Sequence, residues 1–200
     1  MEPTAESNAK PTAESNAEPT AKPTAESNSE LATELVARVD RDQQARSELP
    51  KRPVDHADWA RVEAVDAENT AWLKGILDRH GWPRRSDVGD EAAVAAWLLA
   101  QHADRDPAFQ RECLALLEQA VSDGEASPGH LAYLTDRVLR AEGKPQLYGT
   151  QFWYLPENLD EPTPQPIEDL AGLDERRRKV GFGPFADHLA GIRRSEAEDD

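Results

Sequence analysis

Asp90-Glu91-Ala92-Ala93-Val94-Ala95-Ala96-Trp97-Leu98-Leu99-Ala100-Gln101-His102-Ala103-Asp104-Arg105-Asp106-Pro107 is the stretch whose reading decides the fold. It reads as a helix that starts between Asp87 and Asp90 and holds Ala93, Val94, Trp97 and Leu98 at helical spacing. Its apolar run, Ala92 to Ala100, is too short to span a bilayer. Asp106-Pro107 then opens another helix, with Asp at the cap and Pro at the first helical position. Between the two lies a conflict: Gln101 and His102 continue the stripe of Val94, Trp97 and Leu98, where apolar residues belong. Burying such groups costs a few kcal/mol each, roughly, unless they are paired. Their clustering therefore points either to an internal polar network or to a ligand site.

The same conflict recurs upstream. Asp42, Gln43 and Arg46 follow Leu35 and Val39 on a helix expected from about Glu30 to Ser47. Asp66 and Asn69 sit between Val62 and Leu73 on a second helix, expected from Asp55 to Arg79 and closed by Gly81-Trp82-Pro83. Downstream, the helix begun at Pro107 should end near Asp123-Gly124. Ser127-Pro128 starts a fifth, which runs through Leu131, Leu134 and Val138 until Gly143. Gln146–Leu155 is aromatic and lacks helical periodicity, so it reads as one arm of a hairpin, returning near Gln165-Pro166-Ile167 after a Pro-rich loop, Pro156–Pro164. Two short helices, Asp174–Val180 and Pro184–Ile192, close the chain. The expected fold is mainly α: a compact bundle of about five helices plus a short β-hairpin and two small C-terminal helices.

The 200 residues suit one domain with an appendage. Pro3-Thr4-Ala5-Glu6-Ser7-Asn8 recurs at Pro11–Asn16 and Pro23–Asn28, and no large apolar residue occurs from Glu2 to Ser29. Residues 1–29 should therefore form a disordered repeat-containing tail, 30–194 a single helical domain and 195–200 a disordered C-terminus. The formal net charge is −16, of which −13 falls outside the tail. That excess repels phosphate backbones and argues against nucleic-acid binding. Arg176-Arg177-Arg178-Lys179, a basic run, reads as the solvated face of a short helix or as a local contact for an anion or acidic partner. One cysteine excludes a disulfide framework, and Cys113 reads as a core thiol on the Phe109–Cys113–Leu116 stripe. With no secretory signal or membrane span visible, the expected location is the cytoplasm.

His102 is the natural centre of any chemistry. An imidazole near neutrality suits proton transfer, and it equally suits capping a helix C-terminus. Asp66 or Asp104 would orient it. Gln43, Asn69, Gln101 and Gln151 would fix polar atoms of a substrate, and Arg137, sharing a helix face with Tyr133, would hold an anionic group. Asp42–Arg46 also fits an intrahelical ion pair, and Asp66–Asn69 a tether between helices. Gly143-Lys144-Pro145-Gln146-Leu147-Tyr148-Gly149-Thr150-Gln151 places Tyr148 among two glycines, a proline and two amides, which fits a ligand contact or a tight helix-to-strand connection. Trp82 and Trp153 are the tryptophans best placed to line a pocket. No phosphate loop, dinucleotide fingerprint or metal-ligand spacing appears, so neither cofactor nor metal is implied.

Asp42-Gln43-x-x-Arg46, Asp66-x-x-Asn69, Gly81-Trp82-Pro83, Val88-Gly89, Gln101-His102-x-Asp104, Tyr133-Leu134-x-Asp136-Arg137, the Gly143–Gln151 segment, Asp174-x-x-Arg177 and Gly181 together resemble the uncharacterised bacterial family catalogued as domain of unknown function 6624. The resemblance spans roughly Leu31 to Leu189 and implies kinship of fold, without an activity. Two functions stay open. One is an enzyme or small-molecule binder with a His-centred polar pocket, doing hydrolytic or proton-transfer chemistry on a small polar or anionic molecule. The other is a non-catalytic module that meets a protein partner and whose buried polar network is structural.

Overall fold

A computed structural model describes residues 25–50, 56–155 and 158–198. The expected tail thus lies outside the described residues except for 25–29, as do residues 199–200. The elements run α1 (Ala25–Ser47), α2 (His56–His80), α3 (Arg85–Val88), α4 (Asp90–Gln101), α5 (Pro107–Ser122), α6 (Pro128–Ala141), β1 (Phe152–Leu155), β2 (Asn158–Pro164), α7 (Leu173–Lys179) and α8 (Phe185–Glu198). A 3-10 turn, Leu170–Gly172, precedes α7. The fold is mainly α, with one small two-stranded antiparallel sheet.

α4 is the axis of the bundle. It packs against α1, α2, α3, α5 and α6, and its buried face is Ala92, Ala95, Ala96, Leu99 and Ala100. These recur every three or four residues, and their small size lets neighbouring helices approach closely. The Val94 stripe is not that face: Val94 is 42% exposed. In a helix apolar on nearly every side, the bulky residues catch the eye while alanines carry the packing. Leu35, Leu73, Leu77, Trp82, Phe109, Cys113, Leu117 and Leu134 complete the core around α4. Cys113 is fully buried, and burial pushes its thiol up, away from reactivity.

Several boundaries differ from those expected. α1 begins at Ala25 rather than Glu30, taking in the end of the third repeat. The expected third helix is two: Gly89, at φ 84 and ψ 166, breaks α3 from α4 in a conformation that a Cβ disfavours. Asp106 and Ser127 cap α5 and α6 as their sequences predict, accepting from the Phe109 and Gly129 N–H groups. The hairpin returns sooner than expected, pairing Phe152 with Pro164 and Trp153 with Thr163, so β2 occupies most of the anticipated loop. In a two-stranded ribbon both strands are edges, where proline is tolerated. The expected arm near Ile167 instead forms one parallel bridge with Gln146. α8 continues to Glu198, beyond the expected end at Ile192.

The Gly143–Gln151 segment is fastened by one buried carboxylate. Asp136 on α6 accepts from the N–H groups of Leu147 (2.7 Å), Tyr148 (3.1 Å) and Thr150 (3.1 Å) and from the Thr150 hydroxyl (2.9 Å). Gln146 adds a second clasp: its Oε1 accepts from Gln151 N, and its Nε2 donates to the carbonyls of Gln151 and Gln165. Half of the basic run turns inward here. Arg176 donates to Leu147, Glu168 and Asp169 carbonyls; Arg177, 3% exposed, donates to those of Tyr148 and Gly183. Only Arg178 and Lys179 keep the solvated role expected of all four, pairing with Glu175. Gly149 takes φ 69 and lies so close to Phe185 that an added Cβ would come within 2.7 Å of the ring.

Asp136→Asn replaces one of the two accepting oxygens with an NH2 group, which then faces two of the four donors, and each unmet buried donor costs about 1–3 kcal/mol. The melting temperature should fall by on the order of 5–15 °C in a thermal unfolding scan. Gly149→Ala should also lower it, through the Phe185 contact and the positive φ together. A shift under about 2 °C for Asp136→Asn would contradict the clasp.

Candidate active site

Three helices bring their misplaced polar residues to one point. Asp42 and Arg46 stand one turn apart near the end of α1, Asp66 lies on α2, and His102 is the residue that ends α4. His102 Nδ1 lies 3.0 Å from both Oδ1 and Oδ2 of Asp42. Arg46 donates to Asp42 Oδ1 (Nε, 3.2 Å) and to Asp66 Oδ1 (2.6 Å), so one guanidinium bridges two carboxylates. Gln43 Nε2 donates to Asp42 Oδ2 at 2.7 Å.

The charges sort themselves by environment. Asp42 is fully buried; burial pushes its carboxyl up, but the hydrogen bond from His102 and the charges of His102 and Arg46 outweigh burial and hold it well below the usual carboxylate range. Asp66 goes the other way, pushed up to about 7 by burial and by the Asp42 carboxylate, against the opposing Arg46. One cation cannot neutralise two carboxylates, so the better-bonded one keeps the negative charge and the other keeps a proton. Burial lowers His102, with Arg46 and Arg137 adding to the effect against the pull of Asp42. A neutral His102 with its Nδ1–H on Asp42 carries its free lone pair on Nε2. Among the described residues, Nε2 has no hydrogen-bond partner.

His102 and Asp66 open onto a cleft of about 280 Å³. Asp66, Thr70 and Lys74 line one wall, successive turns of α2 with Ala67 and Ala71 between them. The other wall is the turn from α4 to α5: His102, Ala103, Arg105 and Asp106. That turn is fixed from behind by Gln110, whose buried Nε2 donates to the carbonyls of Ala100 and Gln101 and to Asp104. Asp104 also faces Arg137 and Arg140, at 3.5 and 3.2 Å.

The site differs from the expected one in its members. The carboxylate on His102 is Asp42, not Asp66 or Asp104. Asp66 shares the cleft instead. Gln43 braces Asp42. Arg137 stands close enough for its charge to be felt at His102. Asn69 turns toward α1 and accepts from Arg38 at 3.1 Å, the tether reading of that pair. Gln101 is buried and offers its carbonyl to Gln110. Tyr148 and Gln151 do not line the cleft; they belong to the Asp136 clasp, where Gln151 Nε2 donates to Thr150. Trp82 is core, and Trp153, 44% exposed, lines a separate groove with Phe152 and Pro166. Gln110 and Lys74 escaped sequence reasoning. Gln110 shares helical spacing with Cys113 and Leu117, a polar residue on a core stripe, and that was its signal.

Asp42, Asp66 and His102 each offer one ligand atom, all within 4.8 Å of one another, the donor set of a divalent metal site. Spacing along the chain gives no hint of this grouping, because each residue comes from a different helix. Arg46 already lies on both carboxylates and supplies the positive charge that a metal ion would bring.

Among the described residues, no helix is long and apolar enough to cross a membrane. No curated protein and no solved structure matches the chain. Residues 29–196 match the model of a family described as Family of unknown function (DUF6624), and the cleft residues all fall within that match. The chain belongs to that family.

Proposed function

We propose that this protein is an enzyme that moves protons on a small polar substrate held in the α2/α4–α5 cleft, by hydrolysis or a related proton-transfer reaction. The observation that carries it is geometric: His102, held from behind by the buried Asp42 carboxylate, lines one cleft together with a second carboxyl, Asp66. His102 Nε2 accepts a proton from the substrate or from an attacking water. Asp42 fixes the Nδ1–H tautomer and balances the imidazolium that forms. Asp66, its carboxyl pushed up to about 7, carries a proton in part of the molecules at neutral pH and returns it to the departing atom. Arg46 and Gln43 position the carboxylates and touch no substrate. Gln101, Asn69, Tyr148 and Gln151 take no part in this reading.

A second reading has support of its own. Asp42 is buried among three polar partners, and such a network also locks helices together. There the acidic surface or the repeats would meet a protein partner. Turnover separates the two. His102→Ala takes one of three partners from buried Asp42 and should lower the melting temperature by a few degrees in either case, but only in a catalytic role does substrate turnover disappear with it.

Turnover gives the direct test. Against a panel of small esters, amides and compounds with acidic C–H bonds, read by product formation and by deuterium uptake from solvent, His102→Asn should lower the rate by about 10²–10⁴-fold. The pH profile should be a bell, rising as His102 loses its proton at a pH below the ordinary histidine value and falling above about 7 as Asp66 loses its own. Absence of turnover across the panel, or turnover that survives His102→Asn, would overturn the reading.

Asp66 also sets a stability prediction. Between its ordinary 3.8 and about 7 the folded protein binds a proton that the unfolded chain does not, so this group stabilises the fold at low pH and the benefit is lost as pH rises through about 7. Denaturant titrations should show that decline in the wild type and a flatter profile in Asp66→Asn.

A further inference from the structure

We propose that Gln110 is a positioning residue of this cleft: from inside the core it sets where α4 ends, and so where His102 stands between Asp42 and the cleft. Its consequence for turnover rests on the proton-transfer reading, which it deepens. A helix leaves the carbonyls of its last turn without partners inside the helix, to be met by side chains, water or a tightened final turn. α4 ends at Gln101, and His102 is the residue that caps it, at φ −91 and ψ 4. Gln110 Nε2 donates to the Gln101 carbonyl at 3.1 Å, to the Ala100 carbonyl at 3.3 Å and to Asp104 Oδ1 at 3.2 Å. Among the described residues, no backbone N–H reaches the Gln101 carbonyl. That carbonyl shares one rigid peptide plane with the His102 nitrogen, so a donor that fixes the one orients the other.

Gln110 is unlike an ordinary core residue in two respects. It is fully buried on the face of α5 that it shares with Cys113 and Leu117, where an apolar side chain of its size would fill the space at no polar cost. Its amide is also satisfied on one side only. Nε2 has three acceptors, while Oε1 is buried and, among the described residues, has no hydrogen-bond partner. A half-satisfied buried amide costs stability, so what it contributes lies in where its donor points. It points at the turn that carries His102. The rest of that turn is tied by backbone alone: Ala103 N–H donates to the Ala100 carbonyl at 3.3 Å and Asp106 N–H to the Ala103 carbonyl at 2.9 Å. His102 Nδ1 stands 3.0 Å from each Asp42 oxygen. A displaced turn would move the ring off that carboxylate and swing Nε2 within the cleft, and a misplacement of about 1 Å can cost about 10²-fold in rate.

Two readouts on the full chain test this: the 15N spectrum of the His102 ring, and turnover of the panel compounds that the wild type converts. Q110M keeps the length of the side chain and removes the donor. L117A, on the same helix, opens the core without touching the turn. In Q110M the His102 ring should pass from one tautomer to a mixture of Nδ1–H and Nε2–H forms, and kcat should fall by about 10- to 100-fold at unchanged KM. L117A should lower the melting temperature yet leave the His102 spectrum as in the wild type. If Q110M does not fold, Q110N makes the same comparison, since the loss of one methylene draws the amide back from the turn. A wild-type His102 spectrum in the Gln110 variant, or the same spectral change in L117A, would overturn the proposal. With turnover still lost in H102N, that result would leave the proton-transfer reading standing. A spectral change specific to Gln110, in a protein without His102-dependent turnover, would do the opposite.

Discussion

A carboxylate taken fully out of water must be matched by donors or it costs several kcal/mol, about as much as a small domain can spare. Asp42 is such a group, and the surrounding architecture follows from the need to match it. His102 reaches it from the end of α4, Arg46 from the next turn of α1 and Gln43 from its own turn. Arg46 then ties in Asp66 and with it α2. Three helices are thereby fixed at one point by polar contacts, while α4's alanine face fixes them elsewhere by close packing. The lone pair left on His102 and the proton left on Asp66 are consequences of how that charge is shared.

α6 shows how a bundle keeps two polar centres apart. Asp136 and Arg137 are neighbours in sequence but differ by about 100° around the helix. Asp136 faces the Gly143–Gln151 segment and clasps four donors; Arg137 faces Asp104 and the His102 side. The loop is therefore rigid where its glycines and amides look adaptable, and the cleft is formed from helices and one short turn. A site on helices holds its geometry better than one on loops, which suits proton transfer, where small misplacements are costly.

Much of this was legible in the chain. Caps at Asp106 and Ser127, the turn at Gly81-Trp82-Pro83 and the stop at Gly143 follow from local chemistry that no tertiary contact overrides. The polar residues on apolar stripes marked Asp42, Arg46, Asp66 and His102 correctly as members of something internal. Their pairing could not be read, because Asp42, Asp66 and His102 are brought together by helix packing over 60 residues, and sequence spacing orders only neighbours on one helix. Tyr148 and Gln151 misled for a related reason: amides and glycines that clasp a buried carboxylate have the same composition as those that bind a ligand. Arg176 and Arg177 look solvated in sequence, yet they donate to backbone carbonyls, those of Leu147 and Tyr148 in that segment among them. The buried face of α4 was misjudged because alanine carries little signal beside valine and tryptophan.

The most direct measurement is the nitrogen spectrum of the His102 imidazole across a pH titration, with 15N-labelled histidine and His102→Asn for assignment. A neutral ring protonated at Nδ1, with an apparent pKa below that of an ordinary histidine, is what burial beside Asp42 and Arg46 requires. An Nε2–H tautomer, or a ring that stays charged through neutral pH, would mean that no lone pair faces the cleft and that His102 serves the fold alone.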